Sequence, residues 1–186
     1  TWQTLSLAGR QTPHADRRKP TQLNRPTLLI AKLMPDLPAA PRMLLKTPRF
    51  DVVEIEQRTA DGGTRARQVI LHLGAVLIIP LLEGDRVCLI RNERVAVGKT
   101  LIELPAGTID RQDPPSATAV RELKEETGFA ATSWRELPGF FMSPGILRER
   151  MHVFVAQGLS AGDPEREAGE NIDNLIVPWG EAIAMV

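Results

Sequence analysis

The sequence predicts an α/β fold, a mixed β-sheet with a helix over it, on a chain of 186 residues with formal net charge zero. Two patterns predict the class. Short apolar runs bounded by Gly, Pro and Asp recur from Phe50 onward, as strands and their turns do. One stretch, 115–127, instead spaces its residues as a helix does. A third feature is a change of composition near residue 48, which divides the chain into an arm, 1–48, and a domain, 49–186.

The arm comes first. Seven of the fifteen prolines lie in it, with the basic run Arg17-Arg18-Lys19 and one apolar stretch, Leu28–Met34. Such a composition suits an extended segment resting on the body or on a partner; a tail for nucleic acid or anionic lipid is the alternative. Residues 1–50 carry nine Lys or Arg against two acids, whereas 51–186 carry fourteen against twenty-one, a net −7. An acidic body argues against a nucleic-acid-binding surface. The single cysteine, Cys88, excludes an internal disulfide and reads as a buried core thiol. There is no run of 18 apolar residues and nothing like a signal peptide, so the expected setting is soluble and cytoplasmic, away from membranes. The sequence begins at Thr1 without a methionine and is expected to be part of a longer product.

In the domain, Phe50, Val52 and Ile55 mark a first strand, Asp61-Gly62-Gly63 a hairpin turn, and Arg65 to Leu73 the return. Ala75 to Leu82 is an apolar strand, Gly84-Asp85 another turn, and Arg86 to Arg91 the next strand. The strand-like run 101–104 leads into Pro105-Ala106-Gly107. Beyond the helix, 132–143, 151–159 and 174–179 read as strands, and a closing helix begins near Gly180. His72 and His152 fall in strand-like runs and read as structural, while Trp134, Trp179, Phe140 and Phe141 read as core.

The helix is the most informative element. Pro114 and Pro115 suit a first turn, where a missing N–H is not needed. Ala117, Val120 and Leu123 make an apolar stripe, and Gly128 suits a left-handed stop. Glu122, Glu125 and Glu126 fall at i, i+3 and i+4, crowding one face, expected to point away from the stripe. Like charges at that spacing cost a bare helix roughly 0.2–0.5 kcal/mol per pair. Carboxylate oxygens suit hard cations, with Mg²⁺ first and Mn²⁺ second. A solvated helical face is the alternative.

The stretch Gly107–Phe129 resembles the box of the Nudix hydrolases, G-x5-E-x7-R-E-U-x-E-E-x-G-U with U apolar. Gly107, Arg121, Glu122, Glu125, Glu126 and Gly128 match, and Leu123 and Phe129 fill the apolar places. Asp113 stands where the family has Glu, one methylene shorter, and the resemblance pairs that acid with Arg121. Glu103-Leu104-Pro105-Ala106-Gly107 resembles the signature preceding the box in ADP-ribose pyrophosphatases, and Ser143-Pro144-Gly145 through Glu149-Arg150 resembles their S-P-G-x-x-x-E-R loop. Arg91-Asn92-Glu93-Arg94 is similar to their R-Q-Y-R. The likeness covers roughly 49–186, and the family's last helix is expected to continue past Val186.

That resemblance implies an α/β/α sandwich and metal-dependent hydrolysis of a nucleoside diphosphate sugar, ADP-ribose first. GDP-mannose or another nucleotide sugar is the nearest alternative, and a catalytically silent nucleotide-sensing domain the more distant one. It implies Glu122, Glu126 and the Ala106 carbonyl as metal ligands, with Glu125 binding directly or through water. Glu149, on the flexible glycine-containing loop, is implied as general base, with Glu167 or Glu170 in the acidic 163–173 stretch as the alternative. Arg121 supports the ligands, Arg94 and Glu103 face the substrate, and Arg67 contacts the base. A homodimer, its arm against the other subunit, is implied as well.

Overall fold

The computed structural model describes residues 41–110, 113–166 and 169–185; the arm before residue 41 lies outside them. The chain builds two sheets. In the smaller, β1 (Arg42–Lys46), β2 (Phe50–Arg58) and β3 (Thr64–His72) run as an antiparallel meander, and the two-residue β9 (Leu147–Arg148) joins β3 in parallel. The β2–β3 turn is the one read from Asp61-Gly62-Gly63. There the Asp61 carboxylate accepts the Gly63 N–H at 3.2 Å, and Gly62 sits at φ 83°. β1 lies inside the stretch assigned to the arm, so residues 42–46 belong to a sheet.

The larger sheet centres on β4 (Ala75–Leu82), whose sequence AVLIIPLL is apolar at every position. Such a run fits a strand covered on both faces. β4 pairs in parallel with β10 (Arg150–Ser160), and antiparallel with β7 (Ala106–Thr108) near its start and β5 (Arg86–Arg94) at its end. β5 also pairs β6 (Lys99–Glu103) and β11 (Ile172–Pro178), while β8 (Ala130–Phe141) closes the other edge against β10. Pro138 sits on β8, where an edge strand tolerates a missing N–H, beside a register shift between Met151 and Val153 of β10.

The alternation of β4 and β5 sorts their side chains into two layers. Val76, Ile78 and Cys88 pack with Phe154, Ala156, and Ala119 and Leu123 of α1 (Pro115–Thr127). On the other face Ile79, Leu81, Val87 and Leu89 pack with Val177 and with Ala182 of α2 (Trp179–Ala184). Helix, sheet and helix thus form the expected α/β/α sandwich. Each fully buried branched side chain contributes on the order of 1.5–3 kcal/mol. Among the described residues no helix is long and apolar enough to cross a membrane.

α1 has the bounds read from its sequence. Pro115 is its first residue, and Gly128 ends it at φ 78° with its N–H on the Lys124 carbonyl at 2.9 Å. Its buried face corrects the sequence reading. Thr118, Ala119, Leu123, Glu126 and Thr127 face inward, whereas Val120 is 51% exposed and Ala117 is exposed too. Ala119, Leu123, Glu126 and Thr127 recur at i, i+4, i+7 and i+8, and that face leaves Val120 on its flank. Consequently Glu126 does not point away from the core: it is 5% exposed, at the inner edge of the carboxylate face.

Two chain crossings between the sheets place functional groups together. β3 ends at His72 in the small sheet and, after Leu73-Gly74, the chain re-enters the large sheet as β4. β9 ends at Arg148 in the small sheet, and the single residue Glu149 leads into β10 in the large one. Because β3 parallels β9 and β4 parallels β10, the crossings lie side by side. Glu149 is therefore not on the loose loop expected for it; its carbonyl accepts the Met142 N–H at 3.2 Å.

Candidate active site

A cavity of about 970 Å³ opens among these elements. α1 presents Glu122, Glu125 and Glu126 to it, β7 runs along its floor, Arg94 and Glu103 stand on one side, and His72 and Glu149 on another. The Ala106 N–H donates to Glu126 Oε2 at 3.0 Å, tying β7 to the helix. Gly107 leaves room for the Glu122 carboxyl, which a Cβ there would displace. Arg121 threads the carboxylates, with Nη1 2.6 Å from Glu125 Oε2, Nη2 2.8 Å from Glu122 Oε1, and Nη2 3.5 Å from Asp110 Oδ1. Its Nε is buried and finds no hydrogen-bond partner among the described residues.

Burial dominates the electrostatics. It pushes Glu126 up to about 8, reinforced by Glu122 and Glu170 and opposed by the Ala106 N–H. Burial likewise raises Glu122 to about 7, with Arg121 pulling the other way and Glu125 and Asp110 adding to the rise. Two buried carboxyls of like sign, neither fully neutralised by its neighbours, are a site short of positive charge. Arg94 is raised chiefly by its hydrogen bonds to Glu103, whose Oε2 lies 2.6 Å from Nη2.

The donor set fits a hard divalent cation: all oxygen, partly desolvated, negatively charged, with a glycine at 107 to leave room for Glu122. Among the described residues no three Asp, Glu, His or Cys side chains yet converge on a point that would hold a metal. The reason is local, since Arg121 draws Glu122 and Glu125 toward itself and the Ala106 amide holds Glu126.

Of the residues read from sequence, Ala106, Arg121, Glu122, Glu125, Glu126, Arg94, Glu103 and Glu149 all line the cavity. Arg67 does not. It lies in the exposed half of β3, donating to Gln57 Oε1 at 2.9 Å, five residues and roughly 16 Å of strand from His72. Asp113 is exposed and makes no ion pair among the described residues; the acid beside Arg121 is Asp110, held next to β7 by its N–H on the Thr108 carbonyl at 2.9 Å. Glu170 lines the cavity as well, and Glu167 lies outside the described residues. Phe140 and Phe141 are each 44% exposed, so neither is core: Phe140 borders the cavity and the Arg150 guanidinium lies over the Phe141 ring at 5.9 Å. Trp179 too is partly exposed, whereas Trp134 packs edge-on against Phe154 as expected. Sequence reasoning missed Asp110 and His72, whose Nδ1 lies 3.1 Å from Glu149 Oε1. The one available signal for His72 was its place two residues before the glycine that separates two strand-like runs.

Comparison with known proteins agrees with this geometry. The family model described as "NUDIX domain" matches residues 71–185. An ADP-ribose pyrophosphatase of Bacillus subtilis (strain 168) is 33% identical over 128 residues, covering 68% of this chain and 69% of that one. An ADP-ribose pyrophosphatase of Mycobacterium tuberculosis is 38% identical over 110 residues, covering 58% of this chain and 53% of that one. Among solved structures, one titled "Crystal structure of ADP compounds hydrolase" superimposes with a TM-score of 0.67 at 25% identity, covering 78% of this chain and 82% of its own.

Proposed function

This chain belongs to the NUDIX family, and from that premise we propose that it is a pyrophosphatase that hydrolyses the diphosphate bond of a nucleoside diphosphate sugar, ADP-ribose first, to AMP and ribose 5-phosphate. The observation that carries the reading is the wall of carboxylates on α1 facing a cavity that also holds Arg94 and Glu149. A diphosphate is itself anionic, so such a wall serves it only with cations between. A divalent ion held by Glu122, Glu126, Glu125 and the Ala106 carbonyl supplies charge neutralisation on the diphosphate oxygens. We take this ion to be Mg²⁺, with Mn²⁺ as substitute.

The remaining work falls to the chain's own residues. Arg121, between Glu122 and Glu125, keeps these carboxylates from repelling one another while the site is empty of substrate. Arg94 offers a guanidinium to the diphosphate or the terminal ribose, and Glu103 holds it in place through bonds of 2.6–3.1 Å. Glu149, on the side of the cavity with His72, takes the proton of the attacking water as the water oxygen bonds to phosphorus and the bridging oxygen leaves with its electron pair. In the same reading the protein works in the cytoplasm as a homodimer whose arm, 1–48, rests on the other subunit. Arg67, remote from its own cavity, is then free to serve the partner's.

A panel of nucleotide sugars assayed by release of phosphatase-sensitive product, with and without Mg²⁺, tests this. Metal-dependent turnover highest with ADP-ribose is expected. Preference for GDP-mannose would move the substrate within the class, and no turnover of any member, with nucleotide binding intact, would favour the sensing domain.

A further inference from the structure

His72 and Glu149 are 77 positions apart in the chain, yet each stands where the backbone passes from the small sheet to the large one. The two passages are locked to each other. Before them Ile70 lies opposite Leu147, and after them Ala75 lies opposite Met151. Gly74 makes the close approach: at φ 95° it sits so near β10 that a Cβ would come within 3.0 Å of the Arg150 carbonyl oxygen. In that conformation its N–H donates to His72 Nδ1 at 3.2 Å and its carbonyl accepts the Ile109 N–H at 3.0 Å. The ring is thus oriented by its own turn, and the same Nδ1 lies 3.1 Å from Glu149 Oε1. Both side chains are mostly buried, 13% and 19% exposed, and both line the cavity.

One nitrogen cannot accept from the amide and donate to the carboxylate at once. With Nδ1 accepting the Gly74 N–H, its lone pair faces a bare carboxylate, and the contact becomes attractive only when a proton lies between them. On the reading of Glu149 as the base, the proton of the attacking water reaches this contact through the Glu149 carboxyl.

We propose that His72 is a positioning residue for hydrolysis: its Nδ1, set beside Glu149 by the Gly74 turn, accepts a hydrogen bond from the Glu149 carboxyl once that group has taken a proton from the attacking water. The inference rests on the reading of Glu149 as the base. In the step, a water O–H bond breaks, its oxygen bonds to phosphorus, and the proton passes to Glu149. The bridging P–O bond breaks toward the departing phosphate. Nδ1 exchanges the Gly74 N–H for the Glu149 O–H, so the proton-bearing state gains a partner that the resting state lacks.

The test compares His72→Ala, His72→Asn and His72→Gln with the wild type, each checked by circular dichroism and melting. Asn places its amide near the Nδ1 position and Gln near Nε2. His72→Ala and His72→Gln are expected to lose about 2- to 12-fold in kcat with KM little changed, the effect of losing a hydrogen bond between neutral groups. His72→Asn is expected to recover most of it. In a Glu149→Gln background, His72→Ala should add nothing, because the two act as a unit. Should His72→Ala prove unstable, the Asn and Gln pair decides alone. Equal kcat in Asn and Gln variants, or a loss that adds fully to that of Glu149→Gln, would overturn the proposal while leaving the activity standing. A wild type inactive on every nucleotide sugar would instead overturn the functional reading first.

Discussion

Replacing Glu126 by Gln is expected to make the metal-free protein more stable at neutral and higher pH while weakening its response to divalent ions. Burial lifts the Glu126 carboxyl from an ordinary 4.5 to about 8. A carboxyl raised on folding binds protons more tightly in the folded state. Its contribution to stability is therefore full below about pH 4.5 and is lost as pH rises toward about 8. Every tenfold gain in proton affinity on folding corresponds to about 1.4 kcal/mol, so a rise of this size sets a ceiling of about 5 kcal/mol for Glu126 alone. Coupling to Glu122 and local relaxation reduce this to on the order of 2–3 kcal/mol. Gln retains an oxygen for the Ala106 N–H, carries no charge at any pH, and removes the penalty. Urea unfolding of wild type and E126Q from about pH 5 to about pH 9, in chelator and in excess Mg²⁺, measures it. The wild type should weaken with rising pH in chelator and recover with Mg²⁺, whereas E126Q should keep only the shallower fall that Glu122 carries up to about pH 7. A chelated wild type whose stability is flat or rises across that window would refute the reasoning, because it would mean that Glu126 is ionised in the fold without cost.

Other outcomes follow from the same geometry. Glu149→Gln should lower kcat by roughly 10²–10⁴ with little change in metal affinity, checked by steady-state kinetics and calorimetric Mg²⁺ titration. Gly128→Ala should destabilise by about 2–4 kcal/mol in urea unfolding, since Gly128 lies at φ 78° and an added Cβ meets the Gly162 carbonyl. Light scattering should give about twice the 20.5 kDa chain mass, and a strict monomer at micromolar concentration would reject the dimer.

What the sequence made legible was mostly local. The helix could be bounded to the residue because its stops are chemical, two prolines in front and a left-handed glycine behind. Its three glutamates could be singled out because their spacing is a property of one helix. Which side of the helix is buried was not legible. Val120 looks more apolar than Thr118, but which arc of the helix meets the sheet is set by packing against residues elsewhere in the chain. The acid beside Arg121 was misplaced for a similar reason. Asp113 occupies the matching position in the chain, yet the β7 backbone puts Asp110 nearer. Arg67 sat in a plausible strand, but the reach of β3 beyond the cavity could be learned only from its pairing with β2. The contact between His72 and Glu149 depends on two parallel pairings between strands distant in sequence, which no window along the chain contains.

The twin passages between sheets have a mechanical corollary. The segments 73–74 and 149 are where β3 and β9 pass into β4 and β10, so twisting the small sheet against the large one loads both together. Glu149 is one of those pivots and His72 adjoins the other, which makes their separation a strain gauge for the angle between the sheets. A load on the β1–β3 meander from outside is therefore expected to reach the end of the cavity that His72 and Glu149 line, without touching the carboxylates of α1.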